Sequence, residues 1–238
     1  MINKPRIDYY NTQETFPGRA EEALEFLQAL SIDIPNRAQI LDLGCYLGLT
    51  TVDFAHLLRN QDVFVTGIDL DIHLQPDGST NPEVTESVQK YMPINPKISS
   101  AFCVINGNME QFGYLQGQGF DLVLNLNCLS YDYYHNNDKD FARNPQAIIQ
   151  RMGPTIENLN EGGYFVLWTE FSFATRYVLK KQGGKLIVAM DFAKYAEYLH
   201  KKYPNHPIDY EEAVNRDQAD AQFACDVLNN YFAAHSDA

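Results

Sequence analysis

The chain is short of positive charge. Lysines and arginines number 18 against 31 aspartates and glutamates, a formal net charge of -13 over 238 residues. A basic stripe able to follow a phosphate backbone is missing, so nucleic acid is excluded as a partner on this reading and membrane surfaces are disfavoured. Cysteine is scarce as well. Cys45, Cys103, Cys128 and Cys225 are far apart and form no C-x-x-C pair. Three of them fall in or beside apolar runs, which points to buried reduced thiols rather than a disulfide framework. No apolar run approaches membrane-spanning length. Met1-Ile2-Asn3-Lys4-Pro5 leads into polar residues, so no secretory leader is expected and the chain reads as cytoplasmic. Internal repeats, low-complexity tracts and long linkers are also lacking. One domain over 1–238 is the expectation, with a core at about 38–190, a helical lid in 1–35 and closing helices in 191–238.

What is present alternates between helical and strand patterns. Ala20, Ala23, Leu24, Leu27 and Leu30 share one helical face between Gly18 and Leu30. Strands are expected at 38–43, 63–69, 101–105, 120–126, 164–168 and 185–190. Helices are expected at 50–59, 82–91, 145–160, 173–181, 192–203 and 210–232. Gly162-Gly163 is read as releasing the fifth strand, and Gly183-Gly184 as stopping the helix before the sixth. Residues 71–82 and 131–145 carry loop composition. Such alternation implies an α/β fold with a doubly wound, mostly parallel sheet and added helices at both ends.

The most informative stretch is Ile40-Leu41-Asp42-Leu43-Gly44-Cys45-Tyr46-Leu47-Gly48-Leu49-Thr50. A buried strand ends in an acid, turns through glycines and opens a helix. Glycine adopts backbone angles closed to other residues and lets a ligand approach the main chain. A turn of this kind belongs at the carboxyl edge of an open sheet, where nucleotide-like ligands bind. An acid two positions before the first glycine would repel a pyrophosphate but suits a cationic or hydroxyl-bearing ligand.

This stretch resembles the first motif of the class I S-adenosylmethionine-dependent methyltransferases, acidic-x-Gly-x-Gly-x-Gly. Asp42, Gly44 and Gly48 match, and Tyr46 stands at the middle glycine. Gly67-Ile68-Asp69 ends the second strand about one βαβ repeat later, where the family uses an acid for the ribose hydroxyls. Asn106-Gly107-Asn108-Met109 follows the third strand, with Asn108 in place of the acid that meets the adenine amino group. Phe120 to Leu129 resembles the fourth motif, and Glu161 to Leu167 the glycine pair and fifth strand. The family's usual antiparallel seventh strand has no evident counterpart.

The resemblance implies a Rossmann-like methyltransferase fold and S-adenosylmethionine as cofactor. It assigns cofactor contacts to Asp42, Gly44, Cys45, Gly48, Asp69, Leu70, Asn108, Met109 and Asn125. Tyr9, Tyr10, Asn127, Tyr131 and Tyr134 would line the acceptor side. Methyl transfer chiefly needs alignment of nucleophile and methyl group in a dry pocket. Where the acceptor must lose a proton, His135 is the first candidate base and Asp132 the next. No metal is expected, because Asp71, His73 and Asp77 match no ligand spacing. The acceptor is expected to be small or medium-sized, with a protein acceptor also open.

Two other readings stand beside this one. Tyr46 could fill the methionine part of the site, leaving a methyltransferase-like scaffold that binds without catalysis. A nicotinamide-dependent oxidoreductase would need G-x-G-x-x-G, and Gly44-Cys45-Tyr46-Leu47-Gly48-Leu49 lacks two of those glycines in register.

Overall fold

A computed structural model describes residues 18–45, 49–69, 102–106, 118–126, 143–168, 175–205 and 209–235, with backbone alone for 49, 69 and 102–106. In chain order, the described elements are α1 (Arg19–Ala29), β1 (Gln39–Leu43), α2 (Leu49–Leu57), β2 (Phe64–Asp69), β3 (Phe102–Asn106), β4 (Phe120–Leu126) and α3 (Pro145–Glu157). They continue with β5 (Leu159–Trp168), β6 (Arg176–Gln182), β7 (Lys185–Val188), α4 (Phe192–Lys202) and α5 (Tyr210–His235).

Seven strands form one sheet in the order β3-β2-β1-β4-β5-β6-β7. The pairs β3–β2, β2–β1, β1–β4 and β4–β5 are parallel, and β6 runs antiparallel to both β5 and β7. The architecture is the α/β, doubly wound, mostly parallel one. The central strands are buried on both faces, as parallel strands under helices must be. Ile40, Leu41, Val65, Val123, Leu124 and Val166 are all fully buried.

The helices supply the other half of the core. In α1, Ala20, Ala23, Phe26 and Leu27 recur at helical spacing and are buried. The helix packs on α2 and α4. Phe26 sits edge-on to Trp168 and Tyr195, at 5.6 and 5.8 Å between ring centres. Burial of such a ring contributes on the order of 2–3 kcal/mol. Asn144 opens α3 by accepting from the N–H groups of Gln146 and Ala147, with Pro145 at the first helical position. Asp191 opens α4 in the same way.

Two expectations are corrected at the far edge. Residues 173–181 were expected as helix, but Arg176–Gln182 is strand β6, paired with β5 from Arg176 to Lys180. Gly183 and Gly184, with φ 62 and 72, are therefore the two central residues of a β-hairpin and not a helix stop. Glu161 clasps that turn, its carboxylate accepting from both glycine N–H groups. Those two bonds hold the Glu161 carboxyl below its ordinary range. The antiparallel strand missing from the sequence pattern is thus β6 itself. It lies next to β5, with β7 outside it at the edge.

The second correction concerns the fifth strand, which begins at Leu159 rather than after the glycines. Gly162 has φ 84, and the β4–β5 register shifts between Phe120 and Leu122. At Gly163 a Cβ would lie 2.9 Å from the carbonyl oxygens of Phe120 and Asn160. Glycine is required there by close backbone approach inside the strand, not by a turn preceding it.

Candidate functional site

The chain changes sides at β1. Strands β2 and β3 lie on one flank and β4 to β7 on the other. Open α/β sheets bind ligands at such a switch point, outside the carboxyl ends of the strands. Here the crevice lies between the ends of β1 and β4.

β1 delivers Asp42 one residue short of its end. The side chain is buried, with 2% exposure, and its Oδ2 accepts a 2.7 Å hydrogen bond from the Thr51 hydroxyl in the first turn of α2. This bond ties strand to helix across the glycine turn. Gly44 leaves the strand with φ 67, a left-handed geometry that a Cβ would strain. The N–H groups of Gly44 and Cys45 both donate to the Ile68 carbonyl, at 2.7 and 3.2 Å. The turn therefore stays attached to β2 beyond the last residue of β1.

Gly67 stands opposite Asp42 in the β1–β2 register. A Cβ there would be 2.4 Å from Thr51 Oγ1 and 2.9 Å from Cys45 Sγ. Both are far inside contact distance, so the bare α-carbon is what lets the start of α2 settle on β2. Asp42, Cys45, Thr51 and Gly67 form one packed unit under the turn.

Along the rim, the backbone of Asp69 ends β2 beside Asn106 of β3. On the other flank Leu126 of β4 pairs with Trp168 of β5, and Trp168 with Arg176 of β6. Arg19, the first residue of α1, donates from Nη1 to the Leu126 carbonyl at 3.4 Å. Arg176 is 8% exposed, lies 3.9 Å over the Trp168 ring and donates from Nη2 to the Tyr203 hydroxyl at 3.1 Å.

Of the residues assigned from the sequence, Asp42 and Cys45 are brought together in the packed unit, and Gly44 lies between them in the chain with its N–H bonded to Ile68. Asn125 lies on β4 as the partner of Leu43 and is fully buried. By strand alternation its side chain leaves the sheet on the face opposite that of Asp42. Asp69 ends β2, two residues beyond Gly67. Gly48, Leu70, Asn108, Met109, Asn127, Tyr131, Asp132, Tyr134 and His135 lie outside the described residues, as do Tyr9 and Tyr10.

Sequence reasoning did not single out Thr51, Arg19 or Arg176. Thr51 had a findable signal, a hydroxyl in the first helical turn after an acid-glycine strand end. Arg176 was hidden by its assignment to a helix. Nothing in the sequence marks Arg19, whose bond to Leu126 depends on where the start of α1 meets the end of β4.

The strand order, with parallel β3-β2-β1-β4-β5 and an antiparallel strand beyond, is a Rossmann-like methyltransferase fold. No protein-family model and no curated protein matches the chain. Among solved structures it is similar to an rRNA methylase from Streptococcus thermophilus, with 12% identity over 63% of this chain and 70% of that one, at a TM-score of 0.36. It is similar to precorrin-6y C5,15-methyltransferase from Geobacter metallireducens GS-15, with 11% identity over 62% and 60% of the two chains and a TM-score of 0.38. A third is the bifunctional kinase-methyltransferase WbdD, with 18% identity over 63% of this chain but only 28% of that one, at a TM-score of 0.39. At these scores the likenesses add nothing to what the strand order shows.

One expectation is corrected, the exclusion of nucleic acid. Nucleic acid was excluded as a partner on net charge, yet an rRNA methylase stands among the proteins similar to this chain. The exclusion does not hold. Net charge sums the whole surface, whereas phosphate contacts need only a local cluster of cations. Among the described residues, no helix is long and apolar enough to cross a membrane.

Proposed function

We propose that the chain binds S-adenosylmethionine in the crevice between β1 and β4 and transfers its methyl group to an acceptor. The observation that carries this reading is the unit of Asp42, Thr51 and Gly67 beneath a left-handed Gly44 at the switch point. A buried carboxylate under the turn disfavours a pyrophosphate at the same place. A nucleoside with a cationic sulfur meets no such opposition, so the residues present fit the cofactor.

The cofactor supplies a methyl carbon already activated by a sulfonium. The chain's own contribution is placement. Asp42 and Thr51 hold the turn in shape, and Gly44 keeps side-chain bulk away from the rim. Asp69 accepts from the ribose hydroxyls, and Asn108 from the adenine amino group. His135, with Asp132 beside it in sequence, takes the acceptor's proton where one must leave.

Calorimetry with S-adenosylhomocysteine tests the reading. Saturable binding is expected, with none for NADH. Asp69→Ala should weaken affinity by about tenfold or more, the loss of a charge-assisted hydrogen bond. Its circular dichroism should be unchanged. Failure of the wild-type protein to bind the nucleoside overturns the assignment, and binding of NADH instead supports the oxidoreductase.

A further inference from the structure

The far end of the same rim holds a buried cation. Arg176 opens β6 next to the last residue of β5, and three strand spacings separate it from β1, about 14 Å. Its guanidinium lies on the Trp168 ring, and Nη2 donates to Tyr203, whose hydroxyl is in turn joined to Glu22. Arg176 has no ion-pair partner among the described residues, and its Nη1 is buried without a hydrogen bond. Buried guanidinium groups ordinarily have a carboxylate or a full set of acceptors, because an unsatisfied charged donor is costly.

Two more donors near it share this condition. Trp168 Nε1 and the Tyr198 hydroxyl are buried and make no hydrogen bond among the described residues. Trp168 is 2% exposed and Tyr198 8% exposed. Both rings pack on Phe26, at 5.6 and 5.7 Å between centres. Arg176, Trp168, Phe26 and Tyr198 therefore form one cluster that, among the described residues, holds three unpartnered donors and no unpartnered carboxylate. The Glu22 carboxylate is joined to the cluster through Tyr203, and Glu25 is held by Lys202 at 2.5 Å.

We propose that Arg176, Trp168 and Tyr198 form a carboxylate-binding subsite at the β5–β6 end of the rim. A carboxylate suits the set because its two oxygens match a guanidinium fork and have lone pairs left for an indole N–H and a phenol. The anion site rests on the burial of these three unpaired donors around Phe26 and on the contact of Arg176 with Trp168. That the carboxylate belongs to the methyl acceptor rests on the methyltransferase reading and makes the acceptor a carboxylic acid.

Trp168 is the sole tryptophan of the chain, so its emission reports this site directly. The full-length protein is titrated with acetate at constant ionic strength, against chloride and inorganic phosphate. Acetate should change the emission saturably, with chloride giving no saturable change and phosphate binding more weakly. Arg176→Lys keeps the charge but loses the fork, and should weaken acetate binding by about tenfold. Tyr198→Phe removes a hydroxyl that makes no hydrogen bond among the described residues. It should leave the thermal midpoint unchanged or raised, yet weaken acetate binding several-fold.

An emission response no different from that of chloride overturns the subsite. So does a Tyr198→Phe protein that binds acetate as the wild type does, even if Arg176→Lys fails to fold. Tighter binding of phosphate overturns the carboxylate assignment. Calorimetry with S-adenosylhomocysteine is read separately, so loss of nucleoside binding with acetate binding intact would sink only the methyltransferase reading.

Discussion

At the β1 end of the rim a carboxylate and a hydroxyl close on each other at 2.7 Å, whereas at the β6 end a guanidinium lies on an indole with one nitrogen unpartnered among the described residues. Both clusters are buried at the carboxyl edge of one sheet, and each is shaped by a residue outside its own strand. Thr51 of α2 completes the first, while Tyr203, just beyond α4, only partly completes the second. The difference is one of satisfaction. A buried polar pair that is complete fixes backbone, here the entry to α2. An incomplete buried charge raises the energy of the free protein and leaves room for a ligand to lower it.

The comparison is broken most directly at Gly67. Gly67→Ala places a methyl group 2.4 Å from Thr51 Oγ1, so α2 must lift or the threonine must turn. Overpacking together with loss of the buried hydrogen bond should cost roughly 2–4 kcal/mol. A urea titration would read this as a lower midpoint with an unchanged slope. A midpoint equal to that of the wild type would mean that the start of α2 is not held in place at all.

Thr51→Val sharpens the same end without adding bulk. It keeps the shape but removes the donor to a carboxylate that is 2% exposed. A loss of about 1–3 kcal/mol is expected, with Thr51→Ser recovering most of it. Wild-type stability in Thr51→Val, with the loss appearing in Thr51→Ser instead, would assign the effect to packing of the threonine methyl group rather than to the bond.

The sequence made the β1 side far more legible than the β6 side, for a physical reason. Acid, glycine and hydroxyl around a strand-to-helix turn are local, lying within ten residues from Asp42 to Thr51. Their spacing alone encodes the turn. Arg176-Tyr177-Val178-Leu179 is apolar in a way that fits a short helix or a buried strand equally well, and only pairing with β5 decides between them. Once the segment was read as helix, Gly183-Gly184 became a stop and the antiparallel strand vanished from the expected sheet. Asn125 shows a subtler limit. Its place at the end of β4 was legible, but the face it takes depends on register with Leu43.

Acid and base titration probes the electrostatics of the β6 end. Asp217 of α5 is 1% exposed and accepts from Tyr195 at 2.6 Å, while Arg216 reaches it at 3.4 Å. Burial pushes its carboxyl up to about 6, against the opposing pull of the Tyr195 and Arg216 contacts. The folded protein thus holds this proton more tightly than the unfolded chain does. The contribution to stability is complete below the ordinary aspartate range and is lost as pH rises through about 6. Against an Asp217→Asn reference, the wild type should lose about 2 kcal/mol between mildly acidic and neutral conditions. A difference between the two proteins that does not change with pH would show that Asp217 is already ionised in both regimes.

The smallest expected effect lies at the hairpin that closes the β6 side. Gly184 has φ 72, and nothing lies within 4 Å of where its Cβ would be. Gly184→Ala therefore adds strain without a clash, the reverse of Gly67→Ala, which adds a clash at an ordinary backbone angle. The cost should be about 1 kcal/mol, that of one alanine in a left-handed conformation. Gly184→Asn should cost less, because asparagine tolerates that region. If alanine and asparagine were equally costly, conformation would not be what glycine supplies at this turn, and the bond from its N–H to Glu161 would be the part to test next.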